Sequence, residues 1–144
     1  VLAEIQARLQ ALPASGIDSV GTALGMAAVS EQGAKKPVEL FVVRLSERPQ
    51  GKRATSGPPS QLVNDRIGVV FAVRSLNDPG GDRAGALLET VRATVRQALY
   101  GWRPASAHTP LLLGPGDLIK MERGQLWWMD QFETSHYERA NPDG

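Results

Sequence analysis

The side chains that could do chemistry are few and poorly arranged for it. Only two histidines are present, His108 and His136, with no acidic residue at metal-ligand spacing from either. Both are expected at solvent-exposed positions. Asp117, Glu122, Asp130 and Glu133 fall together near the end of the chain and could suggest an acid–base carboxylate pair. On a strand, however, neighbours alternate between faces, so Asp130 shares a side with Trp128 and Phe132 while Glu133 shares one with Trp127. The pair is thereby split. Gly80-Gly81 precedes a helical pattern but lacks the Lys-Ser/Thr of a phosphate-binding loop, and reads as a turn. The chain has no cysteine, which excludes disulfides, thiolate metal sites and cysteine nucleophiles. No catalytic, cofactor-binding or metal set is expected. A small-molecule or hydrolytic enzyme using Asp130, Glu133 or His136 stands as the reading from another class.

The residues better suited to contact than to catalysis are basic and aromatic. Arg48, Lys52, Arg53 and Arg66 lie in or just after a Pro/Gly/Ser-rich stretch at 46–62 and could meet an acidic protein surface or nucleic acid. In Trp127-Trp128, one indole must enter the core while the other faces outward or toward a second layer, covered either by a helix of the same chain or by a partner. Arg48, Lys52, Arg53, Arg66 and Trp127 are therefore the candidate partner contacts.

The elements that must position these residues follow from periodicity. Leu2, Ile5, Leu9 and Leu12 recur at helical spacing, and Pro13 and Gly16 end that helix. Residues 17–29 are apolar but rich in Gly and Ala, compatible with a strand, a bulged strand or irregular packing. Val38 to Leu45 reads as a central strand buried on both faces. Residues 46–62 read as a long exposed loop. At 66–74, Ile67, Val69, Phe71 and Val73 share one strand face, while Gly68, Val70 and Ala72 keep the other thin enough for close packing. After a turn at 77–81, Asp82 opens a helix with Ala84, Leu87, Leu88, Val91, Val95, Ala98 and Leu99 inward and Arg83, Glu89, Arg92 and Arg96 toward water. Leu111-Leu112-Leu113, a Gly-Pro-Gly turn, and a final hairpin through Glu122-Arg123-Gly124 complete the pattern. The expected class is α+β: a mixed, mostly antiparallel sheet flanked by two helices on one face, with a long loop between two central strands.

The 144 residues suit one domain, placed at 1–139, with 140–144 as a flexible tail. With 42% hydrophobic residues, 22% charged and a formal net charge of +1, the composition is that of an ordinary globular chain without strong attraction to nucleic acid or anionic membrane. No apolar run approaches the roughly 20 residues of a membrane span, and Glu4, Gln6, Arg8 and Gln10 interrupt the first segment, so neither a signal peptide nor an anchor is expected there.

The ordered set of segments resembles a known family. Pro37-Val38-Glu39-Leu40-Phe41-Val42-Val43 leads through the polar stretch to Arg66-Ile67-Gly68-Val69-Val70-Phe71. A helix ending Gln97-Ala98-Leu99-Tyr100-Gly101-Trp102 follows, then Gly124-Gln125-Leu126-Trp127-Trp128-Met129-Asp130-Gln131-Phe132. Over residues 1–139 this is similar to the tail terminator (minor tail, tail completion) proteins of long-tailed bacteriophages. The resemblance implies a non-enzymatic virion protein, assembled in the host cytoplasm, that forms a hexameric ring at the neck end of the tail. Such a ring would cap the tail tube, stop its polymerisation and dock the head connector or head completion protein. The partners implied are the chain itself, the tube protein and the connector, with no membrane and no sequence-specific nucleic-acid contact. A tube subunit or another neck component of related fold is the alternative.

Overall fold

The computed structural model describes residues 1–13, 16–33, 36–51, 59–75, 82–122 and 124–140. The elements run α1 (Leu2–Gln10), β1 (Ser19–Gly21), α2 (Ala23–Gln32), β2 (Val38–Pro49), β3 (Ser60–Arg74), α3 (Asp82–Leu99), β4 (Leu112–Glu122) and β5 (Gln125–Arg139). The five strands form one sheet in the order β1-β2-β3-β5-β4. β1 is parallel to β2, and the other pairs are antiparallel. This is the α+β class expected.

Strand parity builds two cores. On one face, Leu40 and Val42 of β2, Val69 and Phe71 of β3 and Phe132 of β5 pack under Ile5 and Leu9 of α1 and Leu88, Val91, Val95 and Leu99 of α3. On the other, Phe41, Val43, Val70, Ala72 and Trp127 pack with Met26 and Val29 of α2. Residues 38–43 of β2 and 67–73 of β3 are buried on both sides, which is why those stretches read as near-continuous apolar runs.

Helices therefore cover both faces, and among the described residues there are three of them, not two on one face. The missing helix was α2, which begins in the Gly/Ala-rich stretch at 17–29, after the short strand β1, and runs on to Gln32. An amphipathic helix announces itself by an apolar stripe against a polar one. In α2 the outward positions Leu24, Ala27 and Ala28 are as apolar as the inward Met26 and Val29, so no stripe shows. Its ends carry the local signals: extended backbone at Thr22 and Gly33 at φ +87°. That backbone conformation suits glycine.

The long loop is shorter than expected. Ser46, Glu47, Arg48 and Pro49 pair with Arg66, Asp65, Asn64 and Val63 after a bulge at the Arg44/Ser46 register shift. β3 likewise begins at Ser60, and Ala140 still donates its N–H to the carbonyl of Pro59. Lacking apolar alternation, this part of the hairpin looked like loop. A backbone ladder needs no such alternation where the sheet has outrun its helices. The rest of the connection, 50–59, includes 52–58, which lie outside the described residues with Lys52 and Arg53, as do the residues of the turn expected at 77–81, Arg123, and residues 141–144 of the tail expected at 140–144.

Gly-Pro-Gly proves to be a bulge within β4, not a turn, since pairing to β5 resumes after a shift between Leu113 and Gly116. The glycine is required by close approach: a Cβ on Gly116 would sit 2.5 Å from Asp130 Oδ1 and 3.2 Å from the Trp128 ring. Gly116→Ala is expected to cost about 1–3 kcal/mol through this overpacking, read as a lower urea midpoint at unchanged m-value.

Candidate assembly surface

The titratable groups are held in structural networks. Asp130 lies under α3, where Arg92 Nε donates to its Oδ2 and Arg92 Nη2 to its Oδ1, both at 2.9 Å. The Trp128 indole N–H donates to Oδ1 at 2.9 Å, and the Arg92 guanidinium stacks 4.6 Å above that indole. Arg92, expected in water, is drawn inward because its helix passes over this buried carboxylate. Its own pKa is raised, first by the hydrogen bond to Asp130, with burial opposing. Glu133 emerges on the opposite face, as strand parity required, and pairs with Arg66 at 2.9 Å. Among the described residues no group of three His, Asp or Glu side chains is placed to hold a metal ion.

His136 departs from the solvent-exposed expectation. Its Nδ1 meets Asp65 Oδ2 at 2.5 Å and its Nε2 meets Glu138 Oε1 at 3.0 Å, while Arg44 reaches the other Asp65 oxygen at 2.8 Å and Glu47 at 2.6 Å. The Asp65 side chain is fully buried. Burial opposes the imidazolium, but hydrogen bonds and charge from Asp65 and Glu138 outweigh it and raise the pKa. A folded pKa above the unfolded one adds stability that is fully present below the unfolded value, near 6.5, and is lost as pH rises through the folded value. The urea midpoint is therefore expected to fall more steeply above pH 6.5 in the native chain than in His136→Gln. Parallel pH profiles would refute this assignment. His108 is exposed and packs edge-on to Tyr137.

Of the candidate contacts, Arg48 and Arg66 come together. Ser46 lies opposite Arg66 and Arg48 opposite Asn64, so both arginines occupy one face of the outer hairpin. They line an open groove of about 500 Å³ with Thr109, Leu112, Glu133 and Ser135. Trp127 is elsewhere: 3% exposed, stacked on Phe41 with centroids 6.2 Å apart, and capped by Lys120 4.9 Å above its ring. It is covered by its own chain. Trp128, half-buried, leans on the α1/α3 core.

Among the described residues the largest group of exposed apolar side chains lies on β4, which sequence reading had not singled out. It is an edge strand, paired only with β5 among the described residues. Leu113, Leu118 and Met121 lie opposite Phe132, Trp128 and Leu126, so they extend the α1/α3-side core beyond the helices that cover it. Leu118 is 53% exposed and Met121 59%, and Leu112 and Ile119 are also exposed. A long apolar edge with an unpaired backbone ladder is a template for association. The second such surface is the outward side of α2, led by Leu24 at 83% exposure. The signal for β4 was present as the runs Leu111-Leu112-Leu113 and Leu118-Ile119, but apolar runs alone do not reveal which strand takes the edge.

No helix among the described residues is long and apolar enough to cross a membrane. A search of curated proteins found no match. Among solved structures the chain is similar to one from "Virion of native gene transfer agent (GTA) particle", with a TM-score of 0.57 and 13% identity over 96% of this chain and 95% of that one. That likeness speaks to the fold. The family model described as phage tail terminator protein matches residues 2–142. The chain belongs to the phage tail terminator family and is a structural protein of a phage tail.

Proposed function

We propose that this chain, folded as one domain over 1–139, closes into a hexameric ring at the neck end of the tail, assembled in the host cytoplasm. The ring caps the tail tube, ends its polymerisation and presents a docking surface to the head connector or head completion protein. The carrying observation is the apolar edge of β4, free among the described residues, because a subunit that works alone would leave it in water. A ring needs head-to-tail contacts between two different surfaces, and the outward side of α2, lying on the opposite sheet face from the Leu113, Leu118 and Met121 row, is a second one. Arg48 and Arg66 serve partner contact at the outer end of the sheet, and Lys52 and Arg53 are further contact residues. No catalysis, cofactor or membrane enters this role.

The test adds purified protein to lysates of a phage deleted for this gene, with tails examined by negative-stain electron microscopy. Virions of uniform tail length are the expected result. Tails already normal without the protein would overturn the reading, and filaments formed by the purified chain alone would make it a tube subunit instead.

A further inference from the structure

From the outer groove we infer a binding site for an extended acidic segment of a partner protein, one carrying carboxylates at alternate positions. The inference rests on the chain working by contact with other virion proteins, but its geometry is independent of ring closure. Three strands lay out the floor of the groove in two rows. Ser46, Arg66 and Glu133 lie side by side across β2, β3 and β5, and Arg48, Asn64 and Ser135 form the next row on the same face. Successive same-face rows of a sheet are about 7 Å apart along the strands, which is also the spacing of side chains i and i+2 in an extended peptide. Two carboxylates at that spacing would reach one guanidinium each.

The electrostatics select such an occupant. Arg48 is exposed and pairs with no carboxylate among the described residues. Arg66 holds Glu133 with both side chains nearly half exposed, at 47% and 45%. A pair so open to water contributes little, so Glu133 can give way to an incoming carboxylate at small cost. The other nearby carboxylate, Asp65, is turned to the far face and held by Arg44 and His136, so it does not repel a ligand in the groove from its surface. Guanidinium and carboxylate match as two-point hydrogen-bonding partners. A phosphate backbone is a poorer match: nucleic-acid affinity grows with the number of cations engaged, and among the described residues these two rows supply two, one already balanced by Glu133.

The test is a titration of the isotopically labelled full chain, at low salt, followed by amide chemical shifts. The probes are a capped pentapeptide of alternating glycine and glutamate, its glutamine counterpart and a hexamer of deoxythymidine. Saturable shifts are expected at Ser46, Arg48, Asn64, Arg66 and Ser135 with the glutamate peptide. Arg48→Gln and Arg66→Gln should each weaken binding about tenfold, the loss of one charge-assisted hydrogen-bonding partner. The proposal is overturned if the glutamine peptide binds as well, if the shifts fall elsewhere, or if the deoxythymidine hexamer binds the same residues more tightly. Failure here leaves the rescue of tail length untouched, so the two proposals stand or fall separately.

Discussion

Asp130→Ala is expected to lower the unfolding free energy by about 3–5 kcal/mol, a third or more of the stability of an ordinary domain. The Arg92 and Asp130 side chains are only 16% and 12% exposed. Removing the carboxylate strands a guanidinium under α3, leaves the Trp128 indole N–H without its acceptor and opens a void beside Gly116, whose backbone fits against Asp130 Oδ1. Each loss acts in the same direction, because a buried donor without a partner forfeits its hydration with nothing in return. Glu89 softens the effect slightly, since it touches Arg92 Nη1 at 3.1 Å, but it is largely exposed and cannot follow the guanidinium inward. Asp130→Asn keeps an acceptor for the indole and should cost distinctly less. Equilibrium urea unfolding followed by tryptophan fluorescence measures both. A change below about 1 kcal/mol for the alanine variant would mean that the network behaves as an exposed pair.

That network also shows where sequence was informative. Alternation along β5 placed Asp130 with Trp128 and Phe132 and apart from Glu133, and the sheet kept that division. Parity is local, so it is legible residue by residue. What Asp130 met on its face was not local: Arg92 is 38 residues away in sequence and sits on a helix whose charged positions looked solvated. The same holds for His136 and Asp65, 71 residues apart, which share a face only because β3 and β5 are neighbours in the sheet. Strand order therefore supplied the pairings that strand pattern could not. That Arg48 and Arg66 share one face of the β2–β3 hairpin depends in addition on the bulge after Arg44, since one residue of slip sends side chains to the opposite face. α2 failed for a different reason. A helix apolar on both sides carries no contrast from which a moment can be read, and the outward apolar residues that hid it are among those left uncovered in the single chain.

The largest functional effect is expected from the β4 edge. Leu118→Glu combined with Met121→Glu should leave the isolated chain folded, at a cost of about 1–3 kcal/mol, because more than half of each side chain already stands in water. The same two changes should abolish rescue of tail length in the deletion lysate. Burying a leucine- or methionine-sized side chain at a contact contributes about 1.5–3 kcal/mol, so losing two weakens association by a factor of roughly 10² or more. Burying the glutamates in their place adds a desolvation penalty. In a closed ring every contact carries the same lesion, so the loss compounds around it. Gln97→Glu, on the exposed side of α3, is the matched control and should assemble normally. The separation between the two measurements is the informative part. An unfolded double variant would place Leu118 and Met121 in the core of the subunit itself, whereas a folded variant that still yields uniform tails would remove β4 from the assembly and leave the outward side of α2 as the surface to alter next.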